Sequence, residues 1–139
     1  MNITSGLRSW GLTLLRLVVG VIFVMHGWQK LSWGFHNVAG FLGSVGIPLP
    51  TPAAVLLTLV EFLGGVALIL GVLSRYFAAL LSIDMLVAIM AVHIKNGFFA
   101  PKGFEFPLLL LASNLNLMLS GAGALSVSTF RKKKIESTT

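Results

Sequence analysis

Four stretches of this sequence are long and apolar enough to cross a lipid bilayer as helices, and they account for most of its length. They cover residues 10–27, 53–73, 76–94 and 106–125. A transmembrane helix needs about 20 predominantly apolar residues. Only 10% of the 139 residues are charged, whereas soluble domains carry about 25%, so this chain cannot build a soluble surface. The sequence therefore predicts an all-α membrane protein, a single domain in which four transmembrane helices form an antiparallel bundle.

Lysine and arginine residues are unevenly shared between the two ends of these helices. If the N-terminus is cytoplasmic, the cytoplasmic side holds Arg8, Arg75 and the basic run 131–134, and the outer side holds Lys30, Lys95 and Lys102. Positively charged residues favour the cytoplasmic side of a membrane. We therefore predict that both termini are cytoplasmic and that residues 126–139 form a basic tail at the membrane surface. No basic face accompanies this cluster, which argues against a nucleic-acid partner.

The connections between the predicted helices differ in length and composition. Residues 28–52 form a long outer loop, with an aromatic first half expected at the membrane interface and a proline-rich second half expected to be extended. Ser74 and Arg75 join the second and third helices almost directly, which predicts a tight hairpin with Arg75 at its cytoplasmic end. Gly65 and Gly71 on the second helix are predicted to permit close helix packing.

Each predicted helix carries a polar residue near its middle. These residues are Arg16, Glu61, Asp84, Asn114 and Asn116. A charge inside the hydrocarbon costs at least about 2.5 kcal/mol, and the positions place all five at similar depths. We therefore expect Arg16 to bridge Glu61, Asp84 or both in a polar layer at the bundle axis. A carboxyl group that takes up a proton at this depth is a candidate proton relay.

A second set of polar residues lies near the outer ends of the helices. It comprises His26 and Lys30 on the first helix, His93 and Lys95 on the third, and Glu105 before the fourth. Nine residues separate Asp84 from His93, which puts them on opposite faces of an ideal helix. His93 therefore lies either on the far face of its helix or beyond its end.

Other interpretations of these residues stay open. The layer of Arg16, Glu61 and Asp84 could serve only to hold the bundle or an oligomer together, and Asn114 and Asn116 could be only hydrogen-bonding contacts between helices. Two histidines on different helices could ligate a haem, but the facing of His93 disfavours it. The chain has no cysteine, which excludes cysteine-ligated iron–sulfur clusters, and no metal site is predicted.

The order and spacing of these residues over the four spans resemble a known family. The matching positions are Arg16, His26-Gly27-x-x-Lys30, Pro48 in a Gly-x-Pro turn, Glu61 followed by Gly64-Gly65, Gly71-x-x-x-Arg75 and Gly121-x-Gly123-x-x-Ser126. They resemble the DoxX/DoxD family of small four-helix membrane proteins over about residues 10–128. The family often follows Gly-x-Gly with Ser-Leu-Asp, whereas this chain has Ser126-Val127-Ser128 and lacks that acid.

This resemblance implies a place in the bacterial cytoplasmic (inner) membrane and a link to redox chemistry. Members of the family are linked to quinone pools, as a subunit of thiosulfate:quinone oxidoreductase or as partners in oxidative-stress and quinone-detoxifying systems. The resemblance implies that this chain is a quinone- or quinol-handling subunit. It would work with a protein redox partner or as a homo-oligomer. Since no residue here stores electrons alone, a partner or the quinone itself would supply the redox centre.

The function expected from this resemblance assigns a role to each polar residue. A quinone ring would lie among apolar side chains such as Phe23, Met25, Phe62 and Met90, in a site open to the outer side. Glu61, tuned by Arg16, would exchange protons, with Asp84 as the third catalytic candidate. The candidate quinone-binding residues are His26, Lys30, His93, Glu105 and Asn116.

Two functions of other classes are alternatives. A small transporter or proton-coupled exporter of a small or aromatic solute could use the same buried layer as its coupling site. A membrane scaffold could instead recruit a soluble redox enzyme through the basic tail.

Overall fold

The computed structural model describes residues 3–99 and 101–127, and this part of the chain is helical. Its α-helices are α1 (Ile3–Trp33), α2 (Phe35–Ser44), α3 (Pro50–Leu70), α4 (Ser74–Ala88) and α5 (Glu105–Ser120). The described residues form no β-strand, so the prediction of an all-α protein is confirmed for them. The predicted basic run at 131–134 lies outside the described residues.

Three helical stretches are long and apolar enough to cross a membrane, namely Thr4–Trp33, Pro50–Leu70 and Ser74–Asn96. The fourth predicted span corresponds to α5, which is apolar but has only 16 residues. The distribution of polar and apolar side chains between surface and interior is the reverse of that in a soluble protein. Leu14 and Leu109 are 65% and 62% exposed, whereas Arg16 and Glu61 are buried. Such an inversion suits a bundle surrounded by lipid, where apolar side chains face outward and charges face inward.

α1 and α3 pack with their backbones in close contact, and glycines make that contact possible. A Cβ atom on Gly27 would lie 2.6 Å from the backbone nitrogen of Phe62, and one on Gly65 would lie 2.6 Å from that of Val24. Gly20 in turn faces the carbonyl oxygen of Gly65. Small residues allow helix backbones to approach in this way. These contacts fix the register of the two antiparallel helices.

The segment predicted as a long outer loop is partly helical, so that prediction is wrong in its first half. α1 runs on to Trp33 and ends at Gly34, whose φ is 89°. α2 then packs on the start of α3 through Val38, Ala39, Leu42 and Ala54. The aromatic residues of this segment are divided between α1 and α2 and are exposed, whereas smaller apolar side chains form the buried face of α2.

The proline-rich half of the same segment is also more ordered than predicted. Pro50 and Pro52 belong to the first turn of α3 rather than to an extended strand. Proline is favoured there because the first N–H groups of a helix have no partner within it.

The end of α4 departs from an ideal α-helix. Residues Ile89–His93 form a π-helical turn, in which the Ile94 N–H bonds to the carbonyl oxygen of Ile89, five residues earlier. A 3-10 turn, Ile94–Asn96, follows. A π turn is wider than an α turn and changes the direction of the side chains that follow it. The wider turn moves His93 towards the helix face that carries Asp84.

Arg16 ties the segment after α5 to the middle of α1. We call this segment, Gly121–Ser126, the C-terminal strap. The buried guanidinium group of Arg16 donates hydrogen bonds to the carbonyl oxygens of Ala122 (2.5 Å), Leu125 and Ile69 (3.4 Å). Charged donors make strong hydrogen bonds to buried carbonyls. Arg16 thus joins α1, α3 and the C-terminal strap.

Glycines allow the C-terminal strap to lie close to the helices. Gly123, at φ 80°, rests on α1, where a Cβ atom would lie 2.6 Å from the hydroxyl oxygen of Thr13. The same hydroxyl accepts a hydrogen bond from the Leu125 N–H at 3.3 Å. Gly71 ends α3 at φ 71° and touches both Arg16 and Ser126.

The predicted bridge from Arg16 to Glu61 or Asp84 is therefore wrong. Arg16 precedes Lys30 by 14 residues, about 21 Å along a helix, and Lys30 is the cation that reaches Glu61. The position of a residue relative to the centre of its own apolar stretch does not give its height relative to residues on a neighbouring helix. The contact between α1 and α3 instead sets Gly27 level with Phe62, which moves Arg16 far from the acids.

Gly27→Ala tests the contact between α1 and α3, with Gly11→Ala as the matched control on the same helix. An added methyl group at position 27 would meet the backbone of Phe62, whereas position 11 has nothing within 4 Å. We expect Gly27→Ala to lower the free energy of unfolding by about 1–3 kcal/mol. Gly11→Ala should leave it unchanged or raise it, because alanine favours helix. Thermal unfolding in one detergent measures both, and equal midpoints would contradict the contact.

Arg16→Gln tests the C-terminal strap, with Lys95→Gln as a control that removes one positive charge from an exposed position at the other end of the bundle. Losing the guanidinium group leaves buried carbonyl oxygens without donors, at about 1–3 kcal/mol for each. We expect Arg16→Gln alone to lower the unfolding midpoint and to expose the chain after α5 to protease. If both variants behave alike, Arg16 does not hold the strap.

Candidate functional site

A cavity of about 380 Å³ lies between α1, α3, α4 and α5 at the end of the bundle opposite the C-terminal strap, with α2 on one side. We call it the outer cavity, because this end carries the residues predicted to face outside. Its wall is largely apolar and includes Phe23, Leu57, Met85 and Leu110. The polar residues in the wall are His26, Lys30, Glu61, Asp84 and His93. An apolar wall with a few convergent polar groups is typical of small-molecule sites.

Lys30 and Glu61 form an ion pair in the wall of the outer cavity. The Lys30 Nζ donates a hydrogen bond to Glu61 Oε2 at 2.5 Å, and the two side chains are 22% and 5% exposed. The register of α1 on α3 brings them together, since Gly27 lies beside Phe62 and Lys30 follows one turn later. Each charge compensates the other at a depth where a lone charge would be costly.

Asp84 lies beside this ion pair. Its carboxyl group lines the same cavity wall, within electrostatic reach of both Glu61 and Lys30. Its Oδ2 is shielded from solvent and has no hydrogen-bond partner among the described residues. A second carboxylate beside an ion pair that is already neutral is costly at this depth, and a proton on one of the two carboxyl groups relieves the repulsion between them. Lys30, Glu61 and Asp84, which we call the polar trio, can therefore hold one exchangeable proton.

His26 and His93 reach the wall of the same cavity from different helices. The ring of His26 lies beside that of Phe106, with 6.4 Å between their centroids. His93 Nδ1 is 2.8 Å from the carbonyl oxygen of Lys102. A carbonyl can only accept, so a neutral His93 carries its proton on Nδ1 and leaves Nε2 as an acceptor. The π turn after α4 thus places His93 on the same cavity as Asp84.

Several other candidate residues lie away from the outer cavity. Asn116 is exposed on α5, where its Oδ1 accepts a hydrogen bond from the Ser120 hydroxyl at 3.0 Å. Glu105 is the first residue of α5 and is not part of the cavity wall. Arg75 lies at the opposite end of the bundle, beside Gly121.

The apolar side chains expected around a ring fit the outer cavity poorly. Phe23 lines it, but Met25 and Met90 are 59% and 62% exposed, and Phe62 packs against the ring of Trp28. The expectation used depth in the membrane alone. Depth alone does not specify which face of a helix turns inward, and of the four residues only Phe23 lines this cavity.

The buried amide of Asn114 is a separate feature of α5. Asn114 is fully buried, and neither its Oδ1 nor its Nδ2 has a hydrogen-bond partner among the described residues. It lies one turn beyond Leu110, which lines the outer cavity. Asn114 therefore forms no interhelical hydrogen bond within the described part of the chain.

Sequence reasoning missed the partner of Glu61 and the contribution of α2. Lys30 follows His26 by four residues, which puts both on one helix face, and no strong helix breaker precedes Gly34. That signal was available, but the pairing with Glu61 also depends on the register of α1 and α3. Phe41 and Leu42 of α2 complete the cavity wall.

Known proteins resemble the chain over most of its length. The DoxX family model matches residues 11–94. The protein named "Putative oxidoreductase CatD" in Bacillus subtilis is 33% identical over 120 residues, 86% of either chain. The "Uncharacterized membrane protein Rv3486" of Mycobacterium tuberculosis is 31% identical over 131 residues, 86% of this chain and 80% of its own. "Inner membrane protein YphA" of Escherichia coli is 26% identical over 122 residues, 84% of this chain and 86% of its own.

No solved structure matches the chain. The family match begins in α1, ends just after the π turn, and contains every polar residue that lines the outer cavity. Because it spans more than half of the 139 residues, the chain belongs to the DoxX family.

Proposed function

We propose that this chain is a quinone- or quinol-binding membrane subunit of an oxidoreductase system, and that the ring binds in the outer cavity. The observation that carries the proposal is the position of the polar trio in the wall of an otherwise largely apolar cavity. Apolar walls accept an uncharged ring. The trio offers that ring proton donors and acceptors.

The size and the donors of the outer cavity suit a substituted ring. A cavity of about 150 Å³ holds benzene, so a cavity of about 380 Å³ has room for a ring with substituents. Lys30 and His26 can donate hydrogen bonds to ring oxygens. The carboxyl group of Asp84, which belongs to the cavity wall, can accept one from a ring hydroxyl.

The side chains of the polar trio support the proton part of the chemistry. Reduction of a quinone to a quinol takes two electrons and two protons, and oxidation returns them. Glu61 and Asp84 can pass a proton from carboxyl to carboxyl, while the ammonium group of Lys30 compensates the remaining charge. The electrons come from a protein redox partner, because no side chain of this chain stores them. The word oxidoreductase in the name of the CatD relative supports this assignment.

The proposal includes a topology. All four apolar helices α1, α3, α4 and α5 would span the bacterial inner membrane with both termini in the cytoplasm, and the outer cavity would face the opposite side. The lysine and arginine distribution favours this orientation. The name of the Escherichia coli relative YphA supports the inner membrane.

A proton-coupled exporter of a small aromatic solute is the second candidate. The observation that favours it is that a buried acid, Glu61, and the neighbouring Asp84 face a cavity rather than lipid, as coupling sites of transporters do. Solute flux into liposomes that follows an imposed pH gradient, without any redox partner, would favour export over the quinone site.

A double variant separates a binding role of the Lys30–Glu61 pair from a structural one. Glu61→Gln leaves the charge of Lys30 uncompensated, so it should lower the free energy of unfolding by about 3–5 kcal/mol. Adding Lys30→Gln removes that charge and should restore most of the stability. We expect both variants to bind a short-chain 1,4-benzoquinone at least about tenfold more weakly, since each loses a charged hydrogen-bond partner.

Quinone titration and thermal unfolding in the same detergent measure the two effects. Lys95→Gln, at an exposed residue outside the cavity wall, is the control and should change neither. A double variant that is stable and binds the quinone like the unaltered chain would contradict the proposal and leave the pair a structural role.

Ala91→Phe tests whether the ring occupies the outer cavity, with Ala112→Phe as its matched control. Ala91 lines the cavity, whereas Ala112 is exposed on α5 and faces away from it. A phenyl group at position 91 would fill space that the ring needs. Crowding of this kind costs about 1–3 kcal/mol, so quinone affinity should fall at least about fivefold for Ala91→Phe only. Equal affinities in the two variants would place the ring elsewhere.

A further inference from the structure

A second groove lies at the end of the bundle opposite the outer cavity. It encloses about 780 Å³ between the first turns of α1, the start of α4 and the C-terminal strap. Arg8 of α1 and Arg75 of α4 both line it, as do the hydroxyl-bearing Thr4 and Ser9. No carboxyl group is among the described residues that line it. Two cations from different helices therefore face one polar groove that has no carboxyl group among its described lining residues.

The groove holds Arg75 against a fixed wall. Its guanidinium group lies beside Gly121 of the C-terminal strap, where a Cβ atom would come within 3.3 Å of Nε and 3.4 Å of Nη2. Gly121 has a φ of 91°, which favours glycine. The strap is in turn held by the hydrogen bonds from Arg16 to Ala122 and Leu125. Arg75 is thus placed by a packed element rather than by a free surface loop.

The donors in the groove suit a phosphate group. A guanidinium group presents several N–H donors in a planar fork that matches phosphate oxygens. Arg8 and Arg75 supply two such forks, and the hydroxyl groups of Thr4 and Ser9 add neutral donors. The groove shares no lining residue with the outer cavity, so its ligand does not depend on what the outer cavity binds.

The surroundings of the groove place it at a membrane surface. Leu7, Trp10 and Tyr76 are exposed next to Arg8 and Arg75 in the sequence. Tryptophan and tyrosine are enriched where hydrocarbon meets the headgroups. Arg8, Arg75 and the basic run at 131–134 belong to the side predicted to be cytoplasmic. Basic pockets between helices on that side bind anionic lipid headgroups.

We propose that the groove between Arg8, Arg75 and the C-terminal strap binds the phosphate group of an anionic phospholipid of the cytoplasmic leaflet. The lipid phosphate lies between the two guanidinium groups, and its acyl chains follow the apolar outer face of α1 beside Leu7. A bound lipid would link α1, α4 and the strap.

Native mass spectrometry of the full chain in detergent tests this proposal with phosphatidylglycerol as the probe and phosphatidylcholine as the zwitterionic reference. Each basic residue near an anionic surface contributes about 1 kcal/mol, or about fivefold in affinity. We expect the double variant Arg8→Gln, Arg75→Gln to bind phosphatidylglycerol about 25-fold more weakly. The matched control, Lys95→Gln with Lys102→Gln, removes two cations from the other end and should bind like the unaltered chain.

The two double variants and three further measurements distinguish binding of a lipid in the groove from attraction by net charge and from binding of a soluble phosphate. Equal losses in the two double variants would show that net charge alone attracts the lipid, and would overturn the proposal. Inorganic phosphate that binds in the absence of lipid, and is displaced by no phospholipid, would make a soluble phosphate the ligand and also overturn it. Arg75→Lys keeps the charge but not the fork, so weaker binding by this variant supports the groove geometry. Thermal unfolding of every variant without lipid shows whether each is folded.

Discussion

The backbone contact between α1 and α3 is the constraint on which the other features depend. Gly20, Gly27 and Gly65 bring the two helices so close that a methyl group at any of them would meet a neighbouring atom at 2.6–2.8 Å. A contact of this kind allows little sliding, because each glycine must stay opposite its own partner. The register then decides which polar residue of α1 meets which polar residue of α3. It sets Lys30 beside Glu61 and leaves Arg16 about 21 Å away along the helix.

This register produces two separate polar clusters. Because their surroundings are apolar, the charged group in each cluster needs hydrogen-bond or ion-pair partners close to it. For Arg16 these partners are backbone carbonyl oxygens from α3 and the C-terminal strap. For Lys30 the partner is the carboxyl group of Glu61. The two solutions differ in what they leave free. Carbonyl oxygens take up no proton, so the Arg16 cluster can only hold elements together. Carboxyl groups can accept and release a proton, so of these two clusters only the outer one is a candidate for proton chemistry.

The sequence predicts the helices better than it predicts how they face one another. Apolar stretches of about 20 residues are a strong signal, and three of them are helices long enough to cross a membrane. The buried charges at Arg16 and Glu61 were also predictable, since charges at that depth avoid lipid. The partners of those charges were not, because they depend on the register of two helices and on the π turn that redirects His93. The sequence did not predict the amphipathic helix α2, because its aromatic residues are equally compatible with a loop at the membrane interface.

Asp84 is where a purely structural account of the outer cluster becomes insufficient. Such an account explains Lys30 and Glu61, which compensate each other at 2.5 Å. It does not explain a further acid beside them, because Asp84 adds a negative charge with no cation of its own and leaves Oδ2 without a partner in the described part of the chain. Apolar residues generally stabilise such a position better than buried charges do. Its carboxyl group faces a cavity large enough for a ring. A proton held by Glu61 or Asp84 would remove the excess charge, and a ring bound in the cavity would be able to exchange that proton.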